Sequence, residues 1–305
     1  MRLLITGIIV FLILFYFYLI WPRLSRKRQI RPFLHTMFAH RGYHCIEKGI
    51  PENSIPSFRA AISHGYGIEL DVHLTSDGKL VVFHDDDLSR ICGRPETIES
   101  LPLKELQSCR LQNTNETIPL FTDVLSLVGG QVPLLIELKI PKSSLGICEK
   151  TWEILKNYNG PYMVQSFNTL GIWWFRRHVP HVLRGQLSSN LTADHLPEPW
   201  ILTFVVKHLL GNVLGRPDFI SYKLADLICK GIQLSCDMLF RILITLIKDH
   251  QLSFFNLFFR SKSGIISGEC YRLYLLGQIA FFVVVGNSNQ LHGIDFLLNQ
   301  FVGIF

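Results

Sequence analysis

The chain has 305 residues and a mass of 35.1 kDa, enough for one large α/β core with an appendage. Its net charge of +6 gathers in part behind an apolar N-terminus, and no aromatic-rich basic motif of the RNA-binding kind is present, so nucleic acid is not an expected partner. The seven cysteines (45, 92, 109, 148, 229, 236 and 270) are scattered without a C-x-x-C pair, which argues against a disulfide framework or zinc site and fits a reducing compartment.

Residues 3–21, LLITGIIVFLILFYFYLIW, hold no charge across 19 positions. At about 1.5 Å per residue they reach roughly 28 Å, near the bilayer core of about 30 Å. The reading is a transmembrane helix over 1–22. A cleaved signal peptide would have a shorter apolar core followed by small residues, whereas Trp21 and Pro22 lead into a basic run. Arg23, Arg26, Lys27, Arg28 and Arg31 follow the span and only Arg2 and the amino terminus precede it, so the positive-inside rule predicts a single-pass protein with its body in the cytoplasm. The basic linker, 23–35, would lie on the anionic headgroups of membrane lipids.

A barrel-like alternation then begins. TMFAH (36–40) reads as a short buried strand, and Ser54 caps a helix with Pro56 in its first turn and Phe58, Ala61 and Ile62 on one face. GIELDVHL (67–74) alternates strictly, with Ile68, Leu70, Val72 and Leu74 on one face and Glu69, Asp71 and His73 on the other. TSDGK is too short for a crossover and carries Asp77-Gly78, so it turns a hairpin into LVVFHD, expected to bring His84 nearly opposite Asp71. VPLLIELKI (132–140) sets Glu137 and Lys139 on one face. PYMVQSF, a helix to about His178, VLRGQL and PDFISYK continue the alternation of an α/β barrel. Within it, 200–215 (WILTFVVKHLLGNVLG) is apolar but broken by Lys207, His208 and two glycines. It reads equally as a contact with the membrane interface or as an ordinary buried helix.

Three carboxylates on one sheet face are costly unless paired or metal-bound, so Glu69, Asp71 and Glu137 need a counter-charge. One divalent cation supplies it, and all-oxygen ligation favours Ca²⁺ or Mg²⁺ over Zn²⁺. His40 and His84 would flank it as proton carriers, and Arg41 and Lys139 would hold a phosphate. Singly, Glu69 reads as well as half of an ion pair, and Asn53 as a turn residue. Jointly, so many inward polar groups point to phosphodiester cleavage.

These residues resemble a family. His40-Arg41-Gly42 with Pro51-Glu52-Asn53-Ser54, then Glu69-Leu70-Asp71-Val72, Thr75, Asp77-Gly78 and Val82-Phe83-His84-Asp85, then Glu137-Leu138-Lys139 and Gln165-Ser166-Phe167, are similar to the ordered motifs of glycerophosphodiester phosphodiesterases. The resemblance covers roughly 36–224. It implies a TIM (β/α)8-type barrel, here preceded by the transmembrane helix, that hydrolyses glycerophosphodiesters to glycerol 3-phosphate and an alcohol. It further implies Glu69, Asp71 and Glu137 as metal ligands, His40 and His84 as base and acid, Arg41 and Lys139 on the phosphate, and Gln165 lining the site. The substrate's own 2-hydroxyl would attack first, giving a cyclic phosphate that water opens. Members with an N-terminal span and an apolar insertion like 200–215 form a subgroup for which lysophospholipids are possible substrates.

The far end departs from that pattern. FFVVVGNSN (281–289) lacks the tryptophan expected there, and HGID (292–295) only echoes the last strand. Residues 225–305 form a divergent apolar region, either with extra membrane-facing helices such as MLFRILITLI (238–247) or produced by a change of reading frame that leaves the barrel short of its closing strands. Three functions follow: a metal-dependent glycerophosphodiesterase, a lysophospholipase D, or an inactive membrane-bound remnant.

Overall fold

A computed structural model describes residues 2–20, 26–34, 36–141, 144–189, 191, 199–223, 281–285 and 301–304. Helix α1 (Arg2–Ile20) is the apolar N-terminal segment, and its Leu4 and Phe11 are 70% and 63% exposed. Among the described residues no helix is long and apolar enough to cross a membrane. The transmembrane helix expected from the sequence is thus met by an exposed apolar helix. Its far end is docked: Leu19 is buried, Asn212 donates to the Leu19 carbonyl at 3.0 Å, and Arg216 donates to the Tyr18 carbonyl at 2.7 Å while lying 3.7 Å over the Tyr18 ring. Helix α2 (Lys27–Ile30) and the 3-10 turn Arg31–Phe33 follow and bury Ile30 and Phe33.

Strand β1 (Met37–Ala39) leads through the HRG turn to α3 (Ile55–Ser63) and β2 (Gly67–Leu74). The α3 start is a capping box: the Ser57 N–H donates to Ser54 Oγ and the Ser54 N–H to Ser57 Oγ, at 3.2 and 3.1 Å. Strand β3 (Leu80–Val82) returns antiparallel to β2 across the predicted hairpin. An excursion carries α4 (Ser89–Cys92), α5 (Leu103–Leu106) and α6 (Phe121–Val128), the first two over a small core of Val81, Phe83, Leu88, Ile91, Ile98 and Leu106. Then come β4 (Leu134–Leu138), α7 (Gly146–Leu155), β5 (Tyr162–Ser166), α8 (Thr169–His178), β6 (Arg184–Ser188), α9 (Trp200–Lys207), α10 (Asn212–Gly215) and β7 (Phe219–Lys223). Strands β8 (Phe281–Val285) and β9 (Phe301–Ile304) complete the set.

Parallel pairing runs β1–β2–β4–β5–β6–β7, the arc of parallel strands expected of a barrel of this class. β8 pairs parallel to β1, and β9 pairs antiparallel to both β7 and β8. One antiparallel strand in the ring is a departure from the all-parallel eightfold barrel of the sequence reading. It also places both FFVVV and the terminal FVGI in the sheet. The stretches 238–247 and 292–295, to which the sequence reading gave membrane helices and a faint last strand, lie outside the described residues, as does Arg23 of the basic linker.

Ile68, Leu70 and Val72 pack outward with Phe58, Ala61, Phe121 and Val124, while the opposite face of β2 turns into the barrel. There Phe38, Leu135, Met163, Leu183 and Phe219 form a layer at the N-terminal end, sealed by Ile30 and Phe33. Both faces of β2 are therefore buried, and the alternation marks two interiors of different chemistry rather than an inside and an outside. Residues 200–215 are two short helices with Trp200, Ile201, Leu202 and Phe204 exposed, which is not the ordinary buried helix. Among the described residues Cys92, Cys109 and Cys148 are free thiols.

Candidate active site

The turn after β1 brings the first residues in. Arg41 takes a left-handed conformation (φ 56°), which aims its N–H at Glu69 Oε2, 3.0 Å away. Gly42 follows at φ 78°, and a Cβ there would stand 2.3 Å from Ser57 Oγ, so only glycine lets the turn rest on the α3 cap. Asn53, also left-handed (φ 50°), donates its backbone N–H to the Arg41 carbonyl at 2.9 Å and its side-chain amide to Asp71 Oδ2 at 2.9 Å. Two non-glycine residues held at positive φ in facing loops are backbone strain at a working site.

Glu69, Asp71 and Glu137 converge, each offering an oxygen within 4.8 Å of the others, and all are buried. Lys139, just past the end of β4, places Nζ 3.0 Å from Asp71 Oδ1 and 2.5 Å from Glu137 Oε1. Burial acts to raise Asp71, but Lys139, His84 and Arg41 hold it well below the usual carboxylate range. Burial and the neighbouring Asp71 and Glu137 charges push Glu69 well up, and burial likewise raises Glu137. Lys139 and Arg41 thus leave the three carboxylates under-compensated. Buried, hard oxygen donors with excess negative charge fit a divalent cation.

Burial and the Arg41 guanidinium push His40 down to about 3, so its imidazole is neutral at pH 7. Neutral imidazole is the form a base must have. Arg41 Nη1 binds Glu52 Oε1 at 2.9 Å, while its Nε stays 3.9 Å from Asp71 Oδ2 and has no hydrogen-bond partner among the described residues. It is thus a buried guanidinium donor beside the acid cluster without a partner among those residues.

His84 enters from beyond β3. The β2–β3 register pairs Val72 with Val82, and the Phe83 N–H donates to the Asp71 carbonyl at 3.0 Å. Phe83 therefore stands opposite Asp71 and His84 one residue on, in keeping with the near-opposite placement expected from the hairpin. His84 remains close enough for its charge to act on both Asp71 and Glu137. Its Nδ1 meets Asp85 Oδ1 at 2.6 Å. Gln165 pairs in register with Glu137, is buried, and accepts from Ser221 Oγ at 2.8 Å.

The structure thus gathers all eight candidate residues at the catalytic ends of β1, β2, β4 and β5 and the turn after β3. Sequence reasoning missed the ties between them. The sequence marks Glu52 and Asn53 only as loop residues and points to no part for Asp85 or Arg90. Behind the cluster, burial pushes His73 down to about 4, and its Nε2 faces the His84 carbonyl at 3.4 Å.

Acid cluster, imidazoles and guanidinium together on an α/β barrel scaffold make a set chemically able to cleave a phosphodiester. The model of the glycerophosphoryl diester phosphodiesterase family matches residues 40–214, and the chain belongs to that family. A glycerophosphodiester phosphodiesterase of Bacillus altitudinis is 30% identical over 191 residues, covering 59% of this chain and 76% of that one. The human lysophospholipase D GDPD1 is 28% identical over 159 residues, 47% of this chain and 48% of that protein. The solved phosphodiesterase of Oleispira antarctica, in complex with the product sn-glycerol-3-phosphate, is 28% identical with a TM-score of 0.48, over 58% of this chain and 72% of that one.

Proposed function

We propose that the enzyme hydrolyses glycerophosphodiesters of the glycerophosphocholine and glycerophosphoethanolamine type to sn-glycerol 3-phosphate and an alcohol. The observation that carries this reading is the meeting of Glu69, Asp71 and Glu137 with a neutral His40 on one side and His84 on the other. Glu69, Asp71 and Glu137 would hold one Ca²⁺ or Mg²⁺ ion, which when bound supplies Lewis-acid stabilisation of charge on the phosphoryl oxygens. Arg41, through its uncommitted Nε, and Lys139 bind the phosphate. His40 takes the proton of the attacking hydroxyl, either the substrate's 2-hydroxyl or water. As the new P–O bond forms, the bond to the head-group oxygen breaks and His84 delivers a proton to that oxygen. If the first product is a cyclic phosphate, His84 then takes a proton from water and His40 returns one to the 2-oxygen. Gln165 lines the pocket for the glycerol.

The assay is release of glycerol 3-phosphate from glycerophosphocholine. It should fall by about 10²-fold or more in His40→Ala and be abolished by a chelator. Full activity in His40→Ala would sink the assignment.

A second reading, lysophospholipase D, is favoured by one observation. Helix α9 carries exposed Trp200, Ile201, Leu202 and Phe204, and its last turn is tied to the end of β6 by Ser188 Oγ donating to the Val206 carbonyl (2.8 Å) and to β7 by the Tyr222 hydroxyl donating to the Lys207 carbonyl (3.4 Å). An acyl chain could lie there. Turnover of lysophosphatidylcholine relative to glycerophosphocholine separates the two, and no turnover of the lipid removes this reading.

The exposed apolar side chains of α1 and the basic residues after it support attachment to a membrane, with the catalytic domain of 36–224 on the cytoplasmic side. Retention in the membrane fraction after carbonate extraction is expected, and full release overturns it.

A further inference from the structure

Helix α4, which follows the turn after His84, holds an arginine that neither the motifs nor the proposed chemistry uses. Arg90 lies five residues beyond Asp85 and 38 beyond Glu52, and its guanidinium binds both. One edge faces Asp85, with Nε 2.6 Å from Oδ2 and Nη2 3.1 Å from Oδ1. The other faces Glu52, with Nη1 3.0 Å from Oε2 and Nη2 2.6 Å from Oε1. Only a planar guanidinium presents two such edges at once, and a lysine ammonium cannot.

Each carboxylate in this fork has a second duty. Asp85 Oδ1 meets His84 Nδ1 at 2.6 Å, and Glu52 Oε1 accepts from Arg41 Nη1 at 2.9 Å. A continuous path therefore runs His84–Asp85–Arg90–Glu52–Arg41, from the proton donor to the phosphate ligand. Asp85 alone would leave His84 free to swing with its own turn. Fixed to Arg90, which is fixed to the loop before α3, the turn is held from outside itself. Its backbone is firm as well: Leu88 is fully buried, its N–H donates to the Glu96 carbonyl at 3.0 Å, and the Ser89 N–H donates to Asp87 Oδ1 at 2.8 Å.

We propose that Arg90 is a positioning residue that sets His84, through Asp85, for proton delivery to the leaving oxygen and couples it, through Glu52, to Arg41 on the phosphate. This rests on the acid role given to His84 above. Holding Nδ1 against Asp85 leaves Nε2 as the nitrogen that faces the leaving group. The Arg90 side chain is 47% exposed, so its removal opens no core cavity and the fold should survive.

The test uses two substrates with the same glycerophosphoryl group. Glycerophosphocholine expels an alkoxide that needs a proton, whereas glycerophospho-p-nitrophenol expels a phenolate that needs none near neutral pH. The full-length protein, Arg90→Met, Arg90→Lys, Asp85→Asn and His84→Ala are compared, with thermal melts to show folding. In single-turnover release of the leaving group, Arg90→Met and Asp85→Asn are expected to slow choline release from glycerophosphocholine by about 10²-fold and p-nitrophenol release from the aryl ester by less than tenfold, following His84→Ala in kind. Arg90→Lys should recover only a small part of the loss. The coupling to Arg41 adds a rise in KM of a few-fold on both substrates in Arg90→Met but not in Asp85→Asn.

If His84→Ala spares the aryl ester while Arg90→Met loses equally on both substrates, or loses nothing, the positioning role is wrong and the acid assignment stands. If His84→Ala itself shows no leaving-group dependence, the acid assignment fails and takes the proposal with it. Should Arg90→Met not fold, Asp85→Asn and Arg90→Lys carry the same comparison, and equal losses on both substrates overturn the proposal.

Discussion

Glu52 accepts from Arg41 at 2.9 Å and from Arg90 at 3.0 and 2.6 Å, in a loop where the sequence shows only a turn. Burial alone would raise its carboxyl, yet Arg90 and Arg41 hold it down at about 2, from an ordinary 4.5. A carboxylate depressed on folding stabilises the native state fully above its unfolded value, and that contribution is lost as the pH falls through the folded one. At about 1.4 kcal/mol per pH unit, discounted for the half-exposed Arg90, the contribution is about 2 kcal/mol. Glu52→Gln should therefore lower stability to urea by about that amount at pH 7, with the gap to the wild type shrinking between about pH 4.5 and pH 2. A gap independent of pH would mean that shape, not charge, is what Glu52 contributes.

At the scale of an element, α3 and the HRG turn form one unit, because Gly42 rests on the Ser57 side chain that closes the helix cap. Ser54→Ala removes one side of the capping box and should cost about 1 kcal/mol with activity largely kept. Gly42→Ala combines a positive φ with a Cβ 2.3 Å from Ser57 Oγ, so it should cost about 2 kcal/mol or more and also displace Arg41. Thermal melts beside kcat and KM distinguish them: a Gly42→Ala protein that loses stability but keeps full activity would show that the turn does not hold Arg41 in place. The cap was legible because its signal is local, Ser54 followed by Pro56 and an apolar stripe. So were the inward carboxylates, since a strict period of two puts Glu69 and Asp71 on one face wherever the strand goes. The pairing of Arg90 with Glu52 was not legible, because 38 residues and the whole β2–β3 hairpin separate them and no periodicity reports a loop-to-loop contact. The hairpin and the near-opposition of His84 and Asp71 were legible in Asp77-Gly78, because a tight turn fixes the register to within a residue. The antiparallel entry of β9 was beyond reach for a different reason: an apolar terminal strand reads alike in either direction.

For the whole molecule, residues 26–34 are part of the barrel rather than a tether. Ile30 and Phe33 complete the inner apolar layer of Phe38, Leu135, Met163, Leu183 and Phe219, which closes the end opposite the acid cluster. Arg26 fastens the segment, donating to the carbonyls of Pro180 and His181 and standing 3.8 Å from buried Asp218. The sequence reading treated 23–35 as a basic linker for lipid headgroups, because its charges are conspicuous and its two buried apolar side chains are not. A chain beginning at residue 26 should therefore fold, whereas one beginning at residue 36 leaves the barrel floor open to water. Phe33→Ala isolates the effect: truncating a fully buried phenylalanine costs about 3 kcal/mol, or roughly 6–12 °C in Tm for a domain of this size. The floor lies far from the catalytic ends of the strands, so kcat of the folded fraction should change little. If chains starting at 26 and at 36 melt together, residues 26–35 only lie on the barrel; if they differ by that margin, the barrel and its possible membrane attachment share one structural part, and helix α1 cannot be cut away at the convenient boundary without weakening the enzyme.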